Sequence, residues 1–423
     1  MDWITPQGIA WIVGFMVILR GAAEWTLNRL NLSHLQAHRR QLPNGWKSVM
    51  DPSTYHRALD YTKTKGDLSQ WSGLYETLLL WVFLFSGIMP FLQHQWTVVL
   101  GHSHWAQSGF LCFVATFLSL FHLPWNYYSQ FYIEEQFGFN HASRRLWLVD
   151  QVKMFLLGWA IGWPVLTLLL LVVSKSGEQW WMWAWLVLLV FQVVMVILAP
   201  MFILPCFNKL SALQEGSLKT RLLHLAKHTG FGVRAIQVMD GSRRSGHSNA
   251  FFTGFGRFRR IVLYDTLVEQ LTVEEVEGVL AHEIGHFRKR HVLSMLVLGM
   301  AGMLIQLFIL ALLAGQSFFY DAFGLPNEAI SEAFLLFGLT FGTFTFWLSP
   351  LSNVLSRRFE YQADSFAIEA TGNRDAFLSA LRKINLENLS NPVPHSLFSF
   401  VYYSHPSLLE REKALASQIP SKD

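Results

Sequence analysis

Seven apolar blocks, each long enough to cross a bilayer, constrain this chain more than any other feature of its sequence. A spanning helix takes about 20 predominantly apolar residues. Blocks of that kind fall at roughly 7–23, 74–93, 107–125, 154–174, 181–203, 292–314 and 333–350. In lipid every backbone polar group has to be satisfied within the structure, and helices do this within one segment. The expected fold is therefore mainly α and polytopic, with about seven transmembrane helices. A composition of 52% hydrophobic and 15% charged residues over 423 positions excludes an ordinary soluble enzyme. The last block, rich in Gly, Thr and Phe, also reads as a buried helix. The first is not read as a cleaved leader. Met1-Asp2-Trp3 carries no positive charge, and Arg20 follows the apolar run instead of preceding it.

Charge sets the orientation. Segment 24–73 carries 7 Lys/Arg, 126–153 carries 3, 204–291 carries 13 and 351–423 carries 8, which is 31 of the 33 basic residues. The loops 94–106 and 315–332 carry none, and 175–180 carries only Lys175. With seven spans the two groups of loops fall on opposite sides. Basic loops stay in the cytoplasm, so the N-terminus is expected outside, with the 204–291 loop and the C-terminal tail cytoplasmic. Topology accounts for the net charge of +4, and no nucleic-acid partner is expected.

Four stretches follow from the spans. Residues 1–203 form an N-terminal membrane domain of five spans. Residues 204–291 form a cytoplasmic loop, 292–350 two further spans, and 351–423 a cytoplasmic tail. The loop reads as a small α+β unit. Leu213, Leu218, Leu222, Leu223 and Leu225 predict a helix over 211–228, stopped at Gly230. Segments 235–239, 249–255 and 260–265 read as strands, with turns at Asp240-Gly241-Ser242 and Gly256-Arg257. Thr272 followed by Glu275 is a capping box, so a helix is expected to start about ten residues before position 282.

That helix carries Ala-His-Glu-Ile-Gly-His over 281–286. His282 and His286 are i and i+4 and project from one face. This is the spacing for two ligands to one zinc ion, with Glu283 beside them as general base. A catalytic zinc needs a third protein ligand and one open position. A metzincin places a third His six residues after the second. Position 292 is Val, so that pattern fails. His291 is one residue off and reads as an interfacial histidine at a span boundary. On a second predicted helix, Glu360 and Asp364 are also i and i+4. One can ligate the metal while the other buttresses a ligand histidine. An oxyanion formed during peptide hydrolysis needs a fixed donor. His405, His395 and Arg411 in the tail are candidates on equal terms.

Several segments together resemble the integral-membrane CAAX prenyl proteases of type 1, zinc enzymes with a gluzincin-like ligand set. They are Ser248 to Phe255, Arg260 to Leu267, Ala281 to His291, Ser356 to Asp364, and Ser404-His405-Pro406 through Glu410-Arg411. Tyr132 to Asn140 resembles the family's membrane domain, and the whole resemblance covers about residues 50–415. It implies one zinc per chain held by His282, His286 and Glu360, with Glu283 as base and His405 stabilising the oxyanion. It implies that Asn249, Ala250 and Gly254 mark an edge strand where an extended peptide adds, with Arg411 also at the substrate site. Asp364, Asn353 and Arg358 would support the ligands from behind. It further implies a helical barrel around a chamber, and a peptide or protein substrate with a prenylated C-terminus.

A compact cytoplasmic loop and a tail ending Ser421-Lys422-Asp423, with no dilysine pattern, lead to the expectation of a bacterial inner membrane. Membrane lipids are the other expected partners. The alternative function is a quality-control zinc protease for membrane proteins, without prenyl specificity. A non-enzymatic membrane scaffold is disfavoured by the intact Glu283. Cys112 and Cys206 have no metal-spaced neighbours, and His94, His102 and His104 read as interfacial beside Trp96 and Trp105.

Overall fold

The structure is a computed structural model, and it describes residues 5–40, 42–47, 49–254, 259–326 and 330–417. The expected turn at 256–257, the leader at 1–3 and the last residues of the tail lie outside the described residues.

Polar caps start the long helices where the sequence supplies them. Thr5 caps α1 (Pro6–Ala37) by accepting from Gly8 N, and Asp51 caps α2 (Pro52–Phe85) by accepting from Ser53 N and Thr54 N. The membrane part continues through α3 (Ile88–Leu100), α4 (His104–Leu120), α5 (Leu123–Tyr128), α6 (Arg144–Lys175) and α7 (Trp180–Leu198), ending in the short α8 (Leu204–Phe207). Among the described residues, five helical segments are long and apolar enough to cross a membrane, and seven if each of two bent pairs counts as one span. All seven expected blocks fall on these segments. The second and third are the bent ones. The α2–α3 pair turns by 57° and the α4–α5 pair, with its π-helical continuation to Glu134, by 43°. Gly87 at φ 82° starts α3, and Pro124 stands in the first turn of α5, where a missing N–H costs nothing. The helices also run past the apolar blocks, so that α1 and α2 continue into the polar segments on one side.

Arg20, Glu24, Glu76 and His122 line one cavity between the helices. Arg20 Nε donates to Glu24 at 2.9 Å, and His122 meets Glu76 at 3.3 Å. A cavity of about 400 Å³ lies against Arg20, Glu24, Asn28, Gln70 and Tyr402. Charges at bilayer depth belong on such interior surfaces, away from lipid.

Between the fifth and sixth spans the chain builds a four-stranded sheet of order β1-β2-β4-β3: β1 (Leu210–Ala212), β2 (Ala235–Met239), β3 (Ala250–Thr253) and β4 (Arg260–Tyr264). The β2–β4 pair is parallel; β1–β2 and β3–β4 are antiparallel. Three strands fall where alternation predicts them. The helix expected from 211 begins later, as α9 (Ser217–His228). Residues 210–212 instead pair with 237–239 of β2, because ladder hydrogen bonds outweigh helical spacing at the end of that run. The expected turn after Met239 is a short 3-10 helix at Gly241–Arg243.

Helix α10 (Asp265–Gln270) leads to α11 (Val273–Arg288), which opens on the expected capping box. Glu275 N donates to Thr272 Oγ1, and Thr272 N to Glu275 Oε2. Leu222, Leu225, Ile261, Leu263, Val276 and Ile284 share one core with Phe377. The chain then crosses and returns through α12 (His291–Ala314), α13 (Ser317–Asp321) and α14 (Ile330–Thr345). It continues as α15 (Ser349–Thr371), α16 (Arg374–Glu387), α17 (Ser396–Tyr402) and α18 (Leu408–Ser417).

Candidate active site

The site forms where α11 and α15 pack closely. Gly285 allows the approach: a Cβ there would lie 3.0 Å from Ala363 Cα and 3.1 Å from Ala363 O. A single small residue inside the H-E-x-x-H motif thus sets the helix spacing, which brings Glu360 over the two histidines. His282 Nε2 and His286 Nε2 are 3.2 Å apart. Glu360 Oε2 is 3.4 Å from His282 Nε2, and Oε1 is 3.3 Å from His286 Nε2.

Among the described residues His282, His286 and Glu360 form the group whose ligand atoms lie within 4.8 Å of one another. Glu360 is buried, and its Oε2 accepts no hydrogen bond. A buried carboxylate oxygen without a hydrogen bond is costly, and a cation held with the two imidazoles satisfies it. Two imidazoles and one carboxylate from two helices match the donor set of a catalytic zinc site.

Support from behind is unequal for the two histidines. His282 Nδ1 lies 2.8 Å from Asp364 Oδ1, and Asp364 is fully buried. Arg411 on α18 holds Asp364 with two hydrogen bonds, Nε to Oδ2 at 2.8 Å and Nη2 to Oδ1. Burial lowers the pKa of His282, while the Asp364 and Glu360 carboxylates raise it; the carboxylates prevail and take it up to about 9. A cation therefore competes with a proton for this ring. Burial raises the carboxyl of Glu283 above its ordinary value of 4.5, opposed by His282 and His286.

The tail candidates separate. His405 Nε2 comes to 3.3 Å from Glu360 Oε1, and its Nδ1 meets Ser404 Oγ at 2.9 Å. His395 caps α17 by accepting from Leu397 N and stacks edge-on with His34; it is a helix cap. Arg411, expected at the substrate site, has an 11% exposed side chain engaged by Asp364. Asn353 donates to Val401 O at 2.6 Å. It holds the end of α17, which leads to His405, and does not touch a ligand. Arg358 is exposed with no side-chain partner among the described residues. Its neighbour Arg357 reaches inward instead, donating to Ser399 O and Tyr403 O. The helical phase at 357 and 358 decides which arginine faces the tail.

The strand β3 is an edge of the sheet. Asn249 precedes it, exposed, with Oδ1 accepting from Ala250 N and its carbonyl from Tyr264 N. Ala250 starts the strand and Gly254, at φ 83°, follows its end.

His291, expected as an interfacial histidine at a span boundary, is instead part of the site. It is 2% exposed and touches His286 through Nδ1 at 3.2 Å. Spacing along one helix places it on another face, but the helix does not continue. Arg290 adopts φ 60°, and α12 starts afresh at His291. A basic residue in the left-handed region carries little sequence signal.

Comparisons with known proteins identify the family. Residues 31–209 match the family described as CAAX prenyl protease N-terminal, five membrane helices, and residues 212–419 match peptidase family M48. The chain is 34% identical to the mouse CAAX prenyl protease 1 homolog over 89% of this chain and 88% of that one. It is 33% identical to CAAX prenyl protease 1 of Saccharomyces cerevisiae over 89% and 88%. The crystal structure of S. mikatae Ste24p superposes with a TM-score of 0.91 at 32% identity, covering 96% of this chain and 98% of that one. The chain belongs to the M48 peptidases and, within them, to the type 1 CAAX prenyl proteases, multi-pass membrane zinc metalloendopeptidases.

Proposed function

We propose that this enzyme holds one zinc ion on His282, His286 and Glu360 and cleaves the C-terminal peptide of prenylated CAAX-type proteins. The observation that carries the metal assignment is the buried Glu360 carboxylate set between the two imidazoles, Oε2 3.4 Å from His282 Nε2 and Oε1 3.3 Å from His286 Nε2, with no hydrogen bond accepted at Oε2. When bound, the ion supplies Lewis acidity that polarises the scissile carbonyl and lowers the pKa of the attacking water toward about 7. Glu283 takes the proton from that water and passes it to the leaving amine. In the tautomer whose Nδ1 accepts from Ser404 Oγ, His405 carries a hydrogen on Nε2, beside Glu360, and donates it to the developing oxyanion.

The free edge of β3 takes an extended peptide as a further strand. Asn249 fixes the start of that edge, and its Nδ2 has no partner among the described residues, leaving it to donate to the substrate. The basic loops support an outside N-terminus and a cytoplasmic site. The compact 204–291 loop supports a bacterial inner membrane. The prenyl requirement rests on the names of the relatives. A matched pair of farnesylated and unmodified CAAX peptides tests it. Preferred turnover of the farnesylated peptide is expected. Equal turnover of both overturns the prenyl requirement and favours quality-control proteolysis.

A further inference from the structure

We infer that His291 and Gln362 form a hydrogen-bond relay that fixes the tautomer and orientation of His286, making His291 a positioning residue for the metal. The inference rests on the zinc reading above. His286 can offer Nε2 to a metal only if its proton is on Nδ1. That Nδ1 lies 3.2 Å from His291 Nδ1, so His291 Nδ1 has to accept. The remaining proton of a neutral His291 is then on Nε2, which lies 2.9 Å from Gln362 Oε1. Each link dictates the next, and the acceptor at the end is an amide oxygen from α15. If the amide of Gln362 were turned about, its NH2 would reverse every donor along the relay and put the proton of His286 on the metal-facing nitrogen.

The surroundings hold the relay in place. The His291 ring is 2% exposed and stacks on Phe359 at 4.1 Å and 10°. Phe359, Glu360 and Gln362 lie on the same helix. So α15 supplies a metal ligand, the plate that holds His291 and the far end of the relay. The break at Arg290 aims His291 back toward His286. The two ligand histidines are thus supported differently, His282 by a carboxylate and His286 by a neutral ring. A ligand histidine commonly donates its second N–H to such an acceptor, and losing that acceptor typically weakens metal binding 10–100-fold.

The test measures zinc content and zinc affinity by chelator competition on the full-length, detergent-solubilised protein, with the visible spectrum of the cobalt-substituted form as a second readout. His291→Phe keeps the stack on Phe359 and removes both nitrogens; it is expected to lower zinc affinity about 10–100-fold and to shift the cobalt spectrum. His291→Asn puts an acceptor oxygen close to the former Nδ1 and is expected to restore affinity to within a few-fold of the parent. Gln362→Met is expected to weaken zinc binding in the parent but not in the His291→Asn background, where no tautomer needs fixing. This variant also tests the relay if His291→Phe does not fold. Parental affinity in His291→Phe, or no recovery in His291→Asn, overturns the inference. A parent that holds no stoichiometric zinc overturns the zinc reading and this one with it. A zinc-replete parent matched by His291→Phe overturns this one alone.

Discussion

Replacing Asp364 separates two quantities that usually fall together, stability and metal affinity. Asp364 is fully buried and touches two groups, His282 Nδ1 at 2.8 Å and the Arg411 guanidinium through both oxygens. Asp364→Asn keeps the shape and removes the charge. The amide oxygen still accepts one hydrogen bond, but the NH2 group faces a donor. Arg411, with an 11% exposed side chain, becomes a nearly buried cation that has lost its hydrogen-bonded counter-ion and keeps only Glu360 Oε2 at 4.0 Å. Stranding one partner of a buried pair costs about 3–5 kcal/mol. The remaining acceptor lowers the expectation to the bottom of that range, about 3 kcal/mol. The weaker acceptor behind His282 lowers zinc affinity by about 10–100-fold. Adding Arg411→Met removes the stranded charge. Most of the lost stability is then expected to return, while zinc affinity stays low. Denaturant unfolding of the zinc-free protein and chelator competition on the loaded protein read the two effects apart. A single variant within about 1 kcal/mol of the parent, or a double variant that regains zinc affinity, refutes the reasoning.

Two further outcomes follow from the same geometry. Gly285→Ala puts a methyl group 3.0 Å from Ala363 Cα. It should cost about 1–3 kcal/mol by overpacking and weaken zinc binding by moving Glu360, read by thermal unfolding and metal analysis. The base has to be ionised, and burial raises the carboxyl of Glu283 above 4.5. Burial pushes that value up and a bound cation pushes it down, so activity should fall as pH drops through the pKa of Glu283, giving kcat/KM an acid limb while zinc content stays constant; Glu283 is not the base if a zinc-replete enzyme shows no such limb.

Much of this was legible in the sequence because it obeys a single period. Apolar blocks found the spans, and Thr272 with Glu275 found the start of α11. Pairs four residues apart found His282 with His286 and Glu360 with Asp364. The rest depends on breaks in that period or on contacts between distant segments. Gly87 and Pro124 bend two spans without changing their apolar content. Residues 210–212 have helical spacing but join β2. His291 is misread by helical spacing because Arg290 interrupts the helix. Arg357 and Arg358 are adjacent and chemically alike, and only the phase of α15 tells which reaches the tail. Arg411 reads as an oxyanion donor or substrate contact until α18 packs it onto Asp364. The two halves of the site are joined only after the chain has crossed the membrane and returned through α12 and α14.

The central claim is that Glu283 does the proton transfer at a zinc ion held by other residues. Its most direct test measures zinc stoichiometry and peptide turnover together in the parent, Glu283→Gln and Glu360→Gln. The account predicts one zinc per chain with turnover in the parent, one zinc without turnover in Glu283→Gln, and loss of both in Glu360→Gln. A zinc-loaded Glu283→Gln enzyme that cleaves at the parental rate, or a Glu360→Gln enzyme that binds zinc as tightly as the parent, contradicts it.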